Sequence, residues 1–204
     1  MKRLWWALLC ACVVLAACGS DGKTLREPAS GASAPPLARS STTVSGQVAS
    51  PGAGATTGFE LSSPAFAPGS PIPKVHTCDG NNVSPPLAWG SVPADTVELA
   101  LTLIDPDANN FIHWVMANID PSVQAIAEGT LPDGVVQGKN NTNKVGWTGP
   151  CPPKGSPHHY VFTLYALTEP SGITDGMSGK DAVSKLMQRK APTATLVGTY
   201  QRAG

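Results

Sequence analysis

Charge is scarce in this chain. Only 28 of 204 residues are Asp, Glu, Lys or Arg, in equal numbers of each sign. A basic stripe for gripping phosphate backbones is therefore missing, and nucleic acid is not an expected partner. Aromatic residues make up 6% and cysteines number five. No apolar run reaches the roughly 20 residues that a permanent membrane span needs. Regular helical periodicity is almost absent as well. What the chain has in quantity is glycine and proline, 21 and 20 residues, the punctuation of turns and loops.

The first residues read as an export signal. Lys2 and Arg3 give the positive start, the next residues form an apolar stretch of about 14, and Leu15-Ala16-Ala17-Cys18 is a small-residue cleavage site ending in cysteine. The ending resembles the lipobox of bacterial lipoproteins. It implies that Cys18 becomes the lipidated first residue of an exported, extracytoplasmic protein anchored to a membrane of a bacterial cell envelope. The alternative is an ordinary secretory signal. From residue 19 to 57, 29 of 39 residues are Ala, Gly, Ser, Thr or Pro. Such a segment buries too little apolar surface to offset its ordering entropy. It is expected to be a disordered tether with a reach of about 35 Å.

Residues 58–204 have the size of one domain. Without Lys2 and Arg3 the protein carries 12 basic and 14 acidic residues, a net charge of −2. Two of its cysteines, Cys78 and Cys151, fall in the domain and are expected to pair in an oxidising compartment. Alternating or continuous apolar runs at 97–103, 112–119, 160–167 and 193–200 predict strands, with a short opening strand at 59–61. One helix is expected after Ser178, with Asp181 in its first turn and Ala182, Val183, Leu186 and Met187 as its apolar stripe. Long Gly/Pro-rich loops occupy 64–93 and 129–157. The sum is a mainly β, mostly antiparallel fold with a late helix.

Three stretches concentrate chemistry. "DPDAN" places Asp105 and Asp107 at a strand end, where the plain alternative is a turn. His113 opens the next strand, where the plain alternative is a satisfied core histidine. A carboxylate beside it would fix its ring and favour its cationic form. "WTGPCPPKGSPHHY" predicts a stiff loop, because proline removes amide donors and restricts its neighbours. The amides of Gly149 and Cys151 are expected to face a ligand, with His158 and Tyr160 on the strand that follows. "KVHTCDGNNVSPPLAW" adds Cys78 and Asp79, and a Cys78–Cys151 bridge would fasten the two loops together.

In this order, "SPPLAW", "DPDA", "HWV" and "PPKGSPHHYVFTLYAL" resemble the phosphatidylethanolamine-binding protein family, in its bacterial branch of Raf-kinase-inhibitor-like proteins. The resemblance spans residues 59–200. It implies an antiparallel, β-sandwich-like fold and a small anion pocket, which would comprise Asp105, Asp107, His113, Cys151, Pro152, Pro153, His158 and Tyr160. It also allows a homodimer, as relatives in that branch often form. The chain departs from the family where Asn109 replaces a common Pro after "DPDA", and where His158-His159-Tyr160 replaces the familiar "HRY". A cytosolic kinase-inhibiting role does not transfer to an exported protein.

Two aspartates suit a phosphate pocket only with divided labour. One carboxylate would accept from a nitrogen of His113, leaving the other nitrogen to donate to the ligand. The second aspartate would meet a cationic amine on the same ligand. Three function classes follow. The first is non-catalytic binding of small anions or phosphorylated head groups. The second is inhibition of an extracytoplasmic enzyme. The third is a metal-assisted hydrolase built on Asp105, Asp107 and His113 with His76 and His159 nearby, disfavoured because no nucleophile has an adjacent base and no metal-ligand spacing recurs. The sequence favours the first, with no cofactor and no bound metal.

Overall fold

The computed structural model describes residues 58–204. The expected signal, the lipidation site Cys18 and the tether lie outside the described residues. Among the described residues there are eight strands. They are β1 (Leu61–Ser62), β2 (Leu87–Trp89), β3 (Glu98–Asp105), β4 (Phe111–Ile119), β5 (Ala125–Ile126), β6 (Val136–Gln137), β7 (His158–Leu167) and β8 (Thr193–Tyr200). One α-helix, α1, spans Gly179–Met187. The strands form two antiparallel sheets, a small one ordered β1-β2-β5 and a large one ordered β6-β4-β3-β7-β8.

The large sheet is covered on both faces. On one, Leu99, Leu101, Leu103, Trp114, Met116, Phe162 and Leu164 pack against Leu61, Leu87, Trp89 and Ile126 of the small sheet. On the other, Ala100, Ile112, Val115, Ala117 and Leu167 pack against Ala182, Val183 and Leu186 of α1. Double coverage explains why β4 reads as a nearly unbroken apolar run, since neither face meets water. β3, whose alternation predicts a strand with one face on a core, is also buried on both faces, with Ala100 packing on the helix side. The predicted stripe of α1 is buried as expected except for Met187, which is exposed. Ser178 accepts the first helical bond through its carbonyl, from Ala182 N at 2.9 Å, and its side chain makes no capping bond.

Three features differ from the sequence-based expectation. The opening strand is only the pair Leu61–Ser62, beginning two residues later than predicted. β3 runs on to Asp105 and β7 begins at His158, so both residues sit on strands of the large sheet. The two long loops also contain β2 and β6, which are too short to show a period. Among the described residues no helix is long and apolar enough to cross a membrane.

Candidate functional site

The ends of β3, β4 and β7 meet on the face shared with the small sheet. His113 reaches that face through a bulge. Leu103 pairs with Trp114 and the adjacent Ile104 pairs with Ile112, so His113 is the extra residue on β4. A bulge breaks the strict alternation of side chains and re-aims the residue it carries. Ile112 accordingly packs with the helix-side cluster, Trp114 with the opposite one. The His113 ring stands edge-on to Tyr160, with centroids 5.2 Å apart, and 4.7 Å from the ring of Phe111.

Asp105 is 2% exposed and both its oxygens are engaged. Oδ1 accepts from the Ala108 amide at 3.1 Å, which closes the 3₁₀ turn Pro106–Ala108, and Oδ2 accepts from His158 Nδ1 at 2.7 Å. The turn and the pocket are thus served by one carboxylate. Asn109 and Asn110 follow with φ of 55° and 58°. Proline cannot adopt a left-handed φ, so this turn accepts Asn109 where it would not accept a proline.

Asp107 is exposed. Its Oδ2 accepts from both the amide of His159, at 2.6 Å, and His159 Nδ1, at 2.8 Å. The His159 backbone bond, then its side-chain bond, hold the Asp107 carboxyl below its ordinary range. The expected pairing of an aspartate with His113 is therefore corrected. The two aspartates each take one of the successive histidines of β7, because alternation along that strand sends His158 inward and His159 outward.

His113 instead donates from Nδ1 to the Thr148 carbonyl at 2.8 Å. A carbonyl can only accept, so Nδ1 carries the proton and Nε2 is the free position of the neutral ring. The residue is 5% exposed. Burial pushes its pKa below the ordinary 6.5, against the raising influence of the Thr148 carbonyl and the Asp105 charge. At neutral pH the free Nε2 is an acceptor, and it becomes a donor only on protonation.

The loop after Trp147 differs from expectation in one respect. The Gly149 amide does not face a ligand. It donates to Asn82 Oδ1 at 2.8 Å, and a Cβ at this position would collide with the His76 carbonyl and the Asn82 side chain. The Cys151 amide, in contrast, lies near the Tyr160 hydroxyl. Pro152 is buried, while Cys151 and Pro153 are exposed. Cys78 and Cys151 form a disulfide with Cα atoms 5.4 Å apart, and the Cys78 amide donates to the Pro150 carbonyl at 3.1 Å. On the far side of this loop Asp79 accepts from Tyr200 and Arg202, whose bonds lower its pKa.

Tyr160 is fully buried, close to the Asp105 carboxylate and the Cys151 amide, yet its hydroxyl makes no hydrogen bond of satisfactory geometry to either. Burial, then the Asp105 charge, push its pKa well above that of an ordinary phenol. It is a neutral donor at any physiological pH. Among the described residues no group of three His, Cys, Asp or Glu stands close enough to hold a metal ion. A polar concavity of about 330 Å³ beside the start of α1, lined by Lys139, Asn141 and Lys180 among others, is separate from this cluster.

Sequence reading missed Asn82 and Thr148, which hold the site's backbone. The only available signal was the Asn-Asn pair of "DGNNV", which reads as a turn. It also missed Glu98, a buried carboxylate of β3 that accepts from the amides of Asn118 and Ser171, each at 2.9 Å.

With the double-faced sheet and this cluster in place, the class of protein is defined. Residues 62–201 match the phosphatidylethanolamine-binding protein family, and the chain belongs to it. It is 39% identical over 192 residues to a Mycobacterium tuberculosis protein named "Putative lipoprotein LppC", covering 93% of this chain and 90% of that one. It is 42% identical to a UPF0098 protein of Methanothermobacter thermautotrophicus, covering 71% of this chain and 99% of the relative. Among solved structures, Escherichia coli YbcL, described as a new member of the mammalian PEBP family, aligns with a TM-score of 0.66 at 32% identity. That alignment covers 70% of this chain and 98% of YbcL.

Proposed function

We propose that the domain binds small anions or phosphorylated head groups without turning them over, and that lipidated Cys18 tethers it to a membrane outside the cytoplasm. The observation that carries the binding reading is the Tyr160 hydroxyl, buried beside the Asp105 carboxylate, the Cys151 amide and the His113 ring without a well-formed hydrogen bond to any of them. Buried polar groups are nearly always satisfied, and an unsatisfied hydroxyl beside a second donor, the Cys151 amide, marks where a ligand or ordered water belongs. Ala108 and His158 engage both oxygens of Asp105 and offset part of its repulsion of an anion.

Against turnover, both thiols of the domain are in the disulfide. The Nδ1 atoms of His113 and His158 face a carbonyl and a carboxylate, not a hydroxyl or thiol to be activated. The similarity to a protein named as a lipoprotein supports the tether. Calorimetric titration of phosphoethanolamine and inorganic phosphate into the protein between about pH 5.5 and 7.5 tests the reading, with binding that strengthens toward acid as the imidazole gains its second proton. No heat of binding with either compound across that range would overturn it. Mass spectrometry of the membrane fraction for a diacylglyceryl group on Cys18 tests the tether.

A further inference from the structure

The Thr148–Gly149 peptide group is held from both ends. Its carbonyl accepts from His113 Nδ1 at 2.8 Å and its N–H donates to Asn82 Oδ1 at 2.8 Å. Since a peptide unit is planar and rigid, the side chain that fixes the N–H also fixes the direction of the C=O. Hydrogen bonds in such a chain polarise one another, so acceptance at the N–H makes the carbonyl a better acceptor.

Asn82 adopts φ 56°, a left-handed conformation for which asparagine is one of the few suitable residues, and it is exposed to solvent. The unstrained alternatives at that φ are few, yet the chain places an oxygen acceptor there. Gly149 makes the approach feasible, because any side chain would run into the His76 carbonyl and Asn82 itself.

We infer that Asn82 is a positioning residue for the anion site, acting through the Thr148–Gly149 peptide to hold His113 with its proton on Nδ1 and its Nε2 turned to the ligand. The inference rests on the anion-pocket reading for its consequence, though the relay itself does not. The Thr148 amide still donates to the His113 carbonyl at 3.1 Å, so without the Asn82 acceptor the peptide keeps its place but loses the restraint on its tilt. The Thr148 carbonyl then aligns less well with Nδ1, and the ring's orientation and tautomer preference weaken.

Two variants separate the acceptor from the backbone. Asn82→Gly accepts the left-handed φ without strain but has no side-chain oxygen. Asn82→Asp tolerates the same φ and keeps an oxygen on the Gly149 amide. The readouts are the ¹⁵N shifts of the His113 ring in the intact chain, which report the tautomer, and the affinity for inorganic phosphate. Asn82→Gly is expected to reduce the Nδ1–H population and weaken phosphate binding about three- to tenfold, the usual range for one uncharged hydrogen bond. Asn82→Asp is expected to keep the wild-type tautomer.

The inference is overturned if Asn82→Gly retains both tautomer and affinity, if Asn82→Asp loses the tautomer as fully as Asn82→Gly, or if Asn82→Gly unfolds the domain. The last outcome would make Asn82 a determinant of folding and not of ring position. Failure of the wild-type chain to bind phosphate would sink the anion reading alone, and the tautomer comparison would still decide the relay.

Discussion

Asp105 Oδ2 lies 2.7 Å from His158 Nδ1, a bond that joins the last residue of β3 to the first of β7 in the interior of the fold. The same carboxylate closes the Pro106–Ala108 turn through its other oxygen. An amide at this position has one oxygen to share between two donors, and its NH₂ must face one of them. Asp105→Asn is therefore expected to lower stability by about 1–3 kcal/mol, the cost of leaving a buried group unsatisfied. Urea denaturation checks this, and an unchanged midpoint would contradict it.

Tyr160 leads to the opposite expectation for stability. Its hydroxyl makes no well-formed hydrogen bond to the protein that the change would remove, so Tyr160→Phe is expected to unfold within about 0.5 kcal/mol of the wild type or to be slightly more stable. Anion affinity should nevertheless fall about tenfold, because the donor aimed at the ligand is gone. A thermal melt and a phosphate titration on the same sample separate the two effects.

His113 sets the pH dependence. Its folded pKa is depressed below the ordinary 6.5, chiefly by burial, so folding favours the neutral ring. This contribution to stability is present above the unfolded value and is lost as pH falls through the folded one. An anion favours the imidazolium and opposes that loss. The rise in melting temperature produced by phosphate should therefore be larger near pH 5.5 than near pH 7.5, about one unit to either side of the ordinary histidine value. In His113→Ala the difference should shrink. Equal shifts at both pH values would show that the ring does not titrate with the ligand.

The Cys78–Cys151 bridge closes a span of 73 residues. By the chain-entropy estimate its removal in a Cys78→Ser, Cys151→Ser double variant costs about 4 kcal/mol. The Cys78–Pro150 and Asn82–Gly149 hydrogen bonds also join the two loops and use no atom of the bridge. The variant should thus melt at a clearly lower temperature while keeping phosphate affinity well below the melt. Loss of binding with an unchanged melt would reverse these roles.

The large sheet was legible because β3, β4, β7 and β8 are long and strongly patterned, and because α1 carries a clear apolar stripe. β2, β5 and β6 were not, since two or three residues define no period and their pairing depends on distant partners such as Leu87 with Ile126. The disulfide followed from there being two cysteines in the domain of a chain whose first residues read as an export signal. Asp105, His113, His158 and Tyr160 do converge, but their hydrogen-bond partners were misread for a physical reason. Sequence spacing cannot reveal that His113 sits on a bulge, and without the bulge its ring would point away from Tyr160. Nor can it reveal that the carbonyl of Thr148, a backbone group carried by every residue type, takes the bond expected of an aspartate.

The most direct test is a phosphate titration of the intact chain followed by ¹H–¹⁵N correlation spectra of the backbone and histidine rings. Saturable shifts at the Cys151 amide and the His113 ring nitrogens, absent in Tyr160→Phe at the same phosphate concentration, are the predicted result. Spectra that do not move at millimolar phosphate, or that move only beside Lys139 and Lys180, would contradict an anion site at Tyr160.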